Sequence, residues 1–255
     1  MMSLKKEIKI FFTALSFYTR IPCYHLGDYS PECMNKSAKY CSLIGWIVGG
    51  IAFGVYYAAK FLFPYSICIL ISMISTILLT GAFHEDGFAD FLDGFGGGST
   101  KEQILTIMKD SRVGTYGVIG LISILAIKYL CLLSMKPSTL LLILIAGHSL
   151  SRFISTTYMY THKYVSLNDS KSSGICQKGS TNDFVLSAVF AIIPFIFLNR
   201  IYFLVLIPIL LIRELYGFYL SKKIGGYTGD CLGSIQQITE VAFYLLILAG
   251  IWKYI

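Results

Sequence analysis

Two stretches without a single charged residue, Tyr40–Ala59 and Phe61–Phe83, constrain this chain more than any other feature. Each is about as long as the roughly 20 apolar residues a helix needs to cross the hydrocarbon core of a bilayer. Further apolar stretches run over 118–134, 137–158, 184–198, 201–220 and 238–252. The sequence therefore predicts an all-α, polytopic membrane protein of about seven transmembrane helices. The shorter stretch Ile8–Phe17 cannot span and reads as a short amphipathic N-terminal helix lying in the interface. Composition agrees: 55% of residues are hydrophobic and 14% charged, against about 25% charged in a soluble domain. A soluble globule and a disordered chain are both excluded. Residues 1–255 read as a single integral-membrane catalytic domain, with no cleavable leader expected in the basic, then apolar, N-terminus.

The net charge of +7 has a topological reading. With seven spans, fourteen Lys and Arg residues fall on the side of the N-terminus and five, Lys128 among them, on the other. The positive-inside rule places the N-terminus and the long polar loops in the cytoplasm, so the chain is expected in the cytoplasmic (inner) membrane. No basic run interleaved with aromatics suggests nucleic acid. Seven cysteines include no CxxC pair, so neither a zinc site nor a disulfide framework is expected. Every Asp and Glu except Glu214 is expected on the cytoplasmic side or its boundary, which suggests chemistry there.

The densest acidic run is His84-Glu-Asp-Gly-Phe-Ala-Asp-Phe-Leu-Asp-Gly94. Asp86, Asp90 and Asp93 are spaced i, i+4, i+7, which puts them on one helical face. Like charges at that spacing repel, and no Lys or Arg occurs between Lys60 and Lys101. A divalent cation would relieve the repulsion, and oxygen-only ligands favour Mg²⁺, or else Mn²⁺. The competing reading is a solvated acidic helix end. Gly87 and Gly94 directly follow two of these acids and permit close approach of backbone or substrate. Ser99 and Glu102 read as a capping box. In Met108–Gly117, Lys109 and Arg112 are candidates to bind phosphate and Asp110 a candidate further metal ligand; a juxtamembrane anchor with a paired Asp explains them equally. Late in the chain Ile224–Ser234 repeats the Gly-plus-Asp chemistry, with Asp230 again on the cytoplasmic side; a polar turn is the plain alternative. Arg152, Arg213 and Glu214 lie within spans, where a charge costs about 2.5–3.5 kcal/mol on insertion scales. Arg152 is expected to face the bundle interior, towards an anionic substrate. His148 reads as a core histidine.

Four segments, Phe12–Pro22, His84–Gly94, Met108–Gly117 and Gly225–Ser234, together resemble the cobalamin synthase family, in the family's order. Glu85 departs from the family's pattern, where an apolar residue commonly follows the His, and 164–180 matches only loosely. The resemblance implies transfer of the cobinamide-phosphate moiety of adenosylcobinamide-GDP to the 3′-hydroxyl of α-ribazole, or of α-ribazole 5′-phosphate, releasing GMP. It implies Mg²⁺ on the acidic stripe, with Asp86 or Asp90 taking the hydroxyl proton, Arg112, Arg152, Lys222 and Lys223 stabilising the leaving GMP, Thr228 a further substrate candidate and Asp230 a further metal candidate. The implied partners are these substrates and the lipid bilayer, without nucleic acid; a homo-oligomer or a complex with other corrinoid-assembly enzymes is left open. A CDP-alcohol-type membrane phosphotransferase is the alternative enzyme, but its DGxxAR run is missing here. A transporter would need binding groups at mid-membrane and an internal repeat.

Overall fold

The computed structural model describes residues 4–166 and 179–249. Eleven α-helices occur among them: α1 (Leu4–Tyr18), α2 (Pro31–Ser37), α3 (Cys41–Ala59), α4 (Tyr65–Thr80), α5 (Phe83–Gly97), α6 (Lys101–Met108), α7 (Thr115–Leu133), α8 (Leu140–Thr161), α9 (Thr181–Ile196), α10 (Leu206–Ile224) and α11 (Gly229–Leu248). The fold is all-α, as expected. Its β pairing among the described residues is an isolated parallel bridge between Tyr164 and Tyr227, closed by Val165 N–H to Tyr227 O at 2.8 Å and Tyr227 N–H to Lys163 O at 2.9 Å. The six described cysteines are free thiols; Cys176 lies outside the described residues.

Helices α8 and α11 form the centre. Their apolar windows are 78% and 67% buried, against 22% for the span ending in α10. On α10, Ile207, Leu215 and Phe218 stay largely exposed. So large an apolar surface is stable facing lipid and unstable facing water. The molecule is a multi-pass membrane protein by this criterion.

Small residues let the central helices meet. A Cβ on Gly45 of α3 would lie 2.5 Å from the His148 carbonyl oxygen, and one on Gly49 would lie 2.8 Å from Ile145 backbone atoms. Close backbone approach of this kind is how helices associate in lipid, where burial from water provides no drive. Gly45→Val is expected to lower thermal stability in detergent by about 1–3 kcal/mol through overpacking, read as a fall in melting temperature. Gly50→Val, which faces open space, is the control and should melt close to the wild type.

Helices α4 and α5 meet at an 86° bend. It is made by two successive left-handed residues, Gly81 (φ 67°) and Ala82 (φ 58°). Gly adopts that region freely, whereas Ala does so at a cost. The turn is held by Arg20 N–H bonded to Leu79 O at 2.7 Å. It swings α5 off the axis of α4 and carries the acidic run across the bundle.

Several expectations are corrected. Five helical segments are long and apolar enough to cross a membrane, or six if the bent α4–α5 pair is one crossing. The expected fifth span, 184–198, is the 16-residue α9, so the count of seven is not reached by length. The last span begins at Gly229, nine residues before the expected Ile238, and its predicted end at Trp252 lies outside the described residues. Glu240 is therefore inside α11, only 1% exposed, and not at a cytoplasmic boundary. Lys128, expected on the outer side, is buried in α7 and pairs with Glu240 at 2.5 Å. The capping box of α6 sits one residue later than predicted, with Thr100 as N-cap and Gln103 reaching back.

Candidate active site

The site is built where α5 crosses α11 and the start of α7. Glycines set the crossing. A Cβ on Gly87 would lie 3.0 Å from Asp230 Cα, and one on Gly233 would lie 3.2 Å from the His84 carbonyl oxygen. The glycines within the acidic motif thus admit a neighbouring backbone. Asp230, in the first turn of α11, is brought against the face of α5 that carries Asp86 and Asp90. The charges of Asp230, Asp86 and Asp93 all bear on Asp90.

These carboxylates do different work. Asp93 is buried and accepts two backbone N–H bonds, from Gly114 at 2.6 Å and Gly117 at 2.9 Å. It caps α7, satisfying amides that a helix start leaves without partners. Gly117 is needed there because any Cβ would lie 2.5 Å from Asp93 Oδ2. Asp86 is exposed, and Asp90 and Asp230 are half-buried. None of these three has an ion-pair partner among the described residues. Asp230 accepts a long bond from Thr228 Oγ1, at 3.4 Å.

No three acidic, His or Cys side chains among the described residues converge as a ready-made metal cage. That is compatible with Mg²⁺, which keeps several waters and is commonly held by one or two carboxylates together with substrate phosphates. Three unpaired carboxylates, all oxygen donors, at one helix crossing fit such a cation. Asp93, committed to α7, fits less well. Asp110 lies elsewhere in the loop before α7. Arg112 clasps it through Nη2 at 2.6 Å and Nε at 3.0 Å, and holds its carboxyl down at about 2.

One basic residue adjoins the cluster. Lys109, at the end of α6, shares a cavity with Thr228, Gly229 and Asp230. The parallel bridge at Tyr227 fixes one wall of this cavity. Thr228 is buried and caps α11 by accepting from Cys231 N at 3.3 Å. Lys222 and Lys223 stand exposed in the last turn of α10, and Arg112 is exposed as well.

Arg152 does face the bundle interior, but within an enclosed polar core and not on the open acidic face. It is 2% exposed, with Nη1 donating to the His148 carbonyl at 3.0 Å. His148, Lys128 and Glu240 adjoin it around a small void. Glu85 also turns into this core, accepting from Gln237 Nε2 at 3.1 Å, away from the acidic stripe. Arg213 is held by Thr157 Oγ1 at 3.1 Å and by Glu214 at 2.6 Å. Sequence reading missed Gln236, Gln237, Glu240 and Lys128. The available signal was a lone Lys inside the 118–134 stretch together with a Gln-Gln-x-x-Glu spacing that puts Gln236 and Glu240 on one helical face.

The chain is similar to known proteins over nearly its whole length. The family model described as Cobalamin-5-phosphate synthase matches residues 10–248. The adenosylcobinamide-GDP ribazoletransferase of Shewanella frigidimarina is 42% identical over 249 residues, covering 96% of this chain and 95% of that protein. Its counterpart in Vibrio cholerae is 40% identical over 249 residues, with the same coverage of 96% and 95%. The Ralstonia pickettii protein of that name is 38% identical over 255 residues, 98% of each. No solved structure matches.

Proposed function

The chain belongs to the cobalamin-5-phosphate synthase family, and on that premise we propose that it is the transferase assembling the nucleotide loop of cobalamin. Adenosylcobinamide-GDP is the donor, and α-ribazole or its 5′-phosphate the acceptor. The acceptor's 3′-hydroxyl attacks the phosphoryl group attached to cobinamide. Its P–O bond to GMP breaks, and GMP leaves. The observation that carries this reading is the crossing of α5 and α11, which gathers Asp86, Asp90 and Asp230 with no ion-pair partner among the described residues.

Transfer of a phosphoryl group needs positioning and charge neutralisation more than covalent chemistry. Asp86, Asp90 and Asp230 would hold Mg²⁺, or Mn²⁺, which when bound neutralises the diphosphate and orients it. Asp90, whose field is the most crowded by other carboxylates, is the residue best placed to take the hydroxyl proton. Lys109 and the N-terminus of α11 offer positive charge and free amides to a phosphate group. Lys222, Lys223 and Arg112 raise the local concentration of an anionic donor. Asp93 fixes the start of α7, and Arg152 supports α5 from the polar core. In this reading the site faces the cytoplasm from the inner membrane.

The test is GMP release by the purified protein in detergent. Release is expected only when adenosylcobinamide-GDP and α-ribazole, or its phosphate, are both present. GMP from the donor alone would mark a hydrolase and overturn the reading. For orientation, a cysteine placed at exposed Ser99 is expected to react with an impermeant maleimide only in inverted membrane vesicles. Labelling of right-side-out vesicles would put the site on the opposite face.

A further inference from the structure

One acid next to the stripe takes no part in it. Glu85 directly precedes Asp86 in α5, but on a helix it points about 100° away, into the polar core, where it is 8% exposed. Its Oε1 accepts from Gln237 Nε2 at 3.1 Å. Its Oε2 has no hydrogen-bond partner among the described residues, and the carboxyl forms no ion pair among them. Burying an acid with one oxygen idle costs stability, so its single bond to α11 calls for an account.

That bond falls where register matters. Helix α5 carries Asp86 and Asp90, and α11 carries Asp230. At their crossing Gly87 and Gly233 face each other, and a Cβ on either would lie 3.4 Å from the Cα of the other. Bare backbone offers no side chain to lodge in a groove of the neighbour and stop the helices sliding. Phe88 and Val241 share an apolar cluster beside the crossing, but apolar attraction has no direction. A hydrogen bond does, and it weakens steeply when its geometry is lost. The far end of this one is anchored. Gln237 Nε2 also donates to Gln236 Oε1 at 2.9 Å, and Gln236 Nε2 donates to Ser151 Oγ of α8 at 3.0 Å and to Glu240 Oε2 at 2.7 Å. Two acceptor oxygens against Nε2 fix which way the Gln237 amide faces. Gln237 also lies two turns beyond Asp230, on the same face of α11. A misplacement of about 1 Å between reacting groups can cost about 10²-fold in rate.

Resting on the function proposed above, we propose that Glu85 and Gln237 are positioning residues, whose bond sets the register of α5 against α11 and so brings Asp86 and Asp90 to Asp230 as one site. Their side chains act from behind the acidic face and ligate nothing.

The experiment compares the full-length protein in detergent with Glu85→Gln, Glu85→Leu and the double variant Glu85→Leu/Gln237→Leu. Gln keeps an oxygen to accept from Gln237, and Leu removes it. The double variant also removes the Gln237 amide, so a loss common to both Leu variants cannot come from a stranded N–H. Mn²⁺ is titrated without substrate, and the free ion is followed by its EPR signal. Both Leu variants are expected to bind Mn²⁺ about 10–100-fold more weakly, the usual loss when a group that orients metal ligands is removed. The two losses should be equal, because one bond is missing in each. Glu85→Gln should bind close to wild type. A role in folding alone would lower the melting temperature and leave the Mn²⁺ affinity of the folded protein unchanged, which overturns the assignment. Glu85→Gln as weak as Glu85→Leu overturns it too, because charge and not the bond would then be acting. Failure of the parent reading is seen separately. If wild type binds Mn²⁺ but releases no GMP, the reaction is wrong and the Mn²⁺ series still decides the positioning role. If it releases GMP but binds no Mn²⁺, the metal reading falls and kcat decides. A fall in Glu85→Leu, recovered in Glu85→Gln at unchanged KM, then supports the role, and an unaltered kcat overturns it. Neither binding nor turnover in wild type overturns both.

Discussion

Asp90→Asn lowers GMP release by about 10²–10³-fold at saturating levels of both substrates, the loss typical of removing one preorganised electrostatic group from a transition state. Asn is nearly isosteric, so the crossing of α5 and α11 is retained while a negative charge and a proton acceptor are lost. The effect falls on kcat, and added Mg²⁺ does not restore it if Asp90 also takes the hydroxyl proton. Asp86→Asn, which removes a candidate metal ligand, should by contrast regain part of its turnover as Mg²⁺ rises. Asp93→Asn separates the two kinds of carboxylate. Its side chain accepts from Gly114 and Gly117 through both oxygens, and an amide can accept through only one. The variant should lose about 1–3 kcal/mol of stability, read as an earlier melting transition, with turnover per folded molecule less affected than in Asp90→Asn. If Asp90→Asn retained wild-type turnover without divalent cations, the acidic crossing would be a solvated helix end and the metal reading would fall.

The acidic stripe was legible because its i, i+4, i+7 spacing is a local property and the absence of nearby cations can be counted. What the spacing could not show is that the stripe divides. Asp93 turns to α7 because Gly114 and Gly117 open a helix start beside it, a tertiary fact invisible from the motif. Spans were legible from apolar length, yet their limits were not. Gly229 begins α11 because Thr228 caps it, and the polar residues that follow are tolerated because they face other helices, not lipid. Reading that polar stretch as a loop displaced Glu240 to the membrane surface. Lys128 went astray for the same reason, since a lone Lys between apolar residues reads as the end of a span unless its partner on another helix is known. The two errors are one ion pair. The bend at Gly81 and Ala82 was equally hidden, because nothing about an Ala announces a left-handed backbone.

Removing one half of that pair is expected to be the most damaging change to the fold. Glu240 is 1% and Lys128 2% exposed. Lys128 Nζ is 2.5 Å from Oε1 of Glu240, His148 Nδ1 is 3.1 Å from Oε2, and Gln236 Nε2 donates to Oε2 at 2.7 Å. Tyr244 donates to Oε1 at 3.2 Å. The carboxylate thus joins α7, α8 and α11, and through Gln237 and Glu85 the same core reaches the first turn of α5. Glu240→Leu removes the carboxylate paired with the buried Lys128 ammonium, and breaking a buried pair costs about 3–5 kcal/mol. For a chain of this size that is a fall in melting temperature on the order of 10 °C. The pair itself is a different matter, because burying two charges consumes most of what their attraction returns. Lys128→Met combined with Glu240→Leu should therefore melt well above either single variant. Activity gives an independent reading. If the core acts by holding α5 in place, GMP release in Glu240→Leu should fall with the folded fraction, and the double variant should recover much of it. A single variant as stable as wild type would show that water or protonation already relieves Lys128. A double variant no better than the singles would show that the hydrogen bonds of Glu240 to Gln236 and Tyr244, and not its charge, hold these helices together.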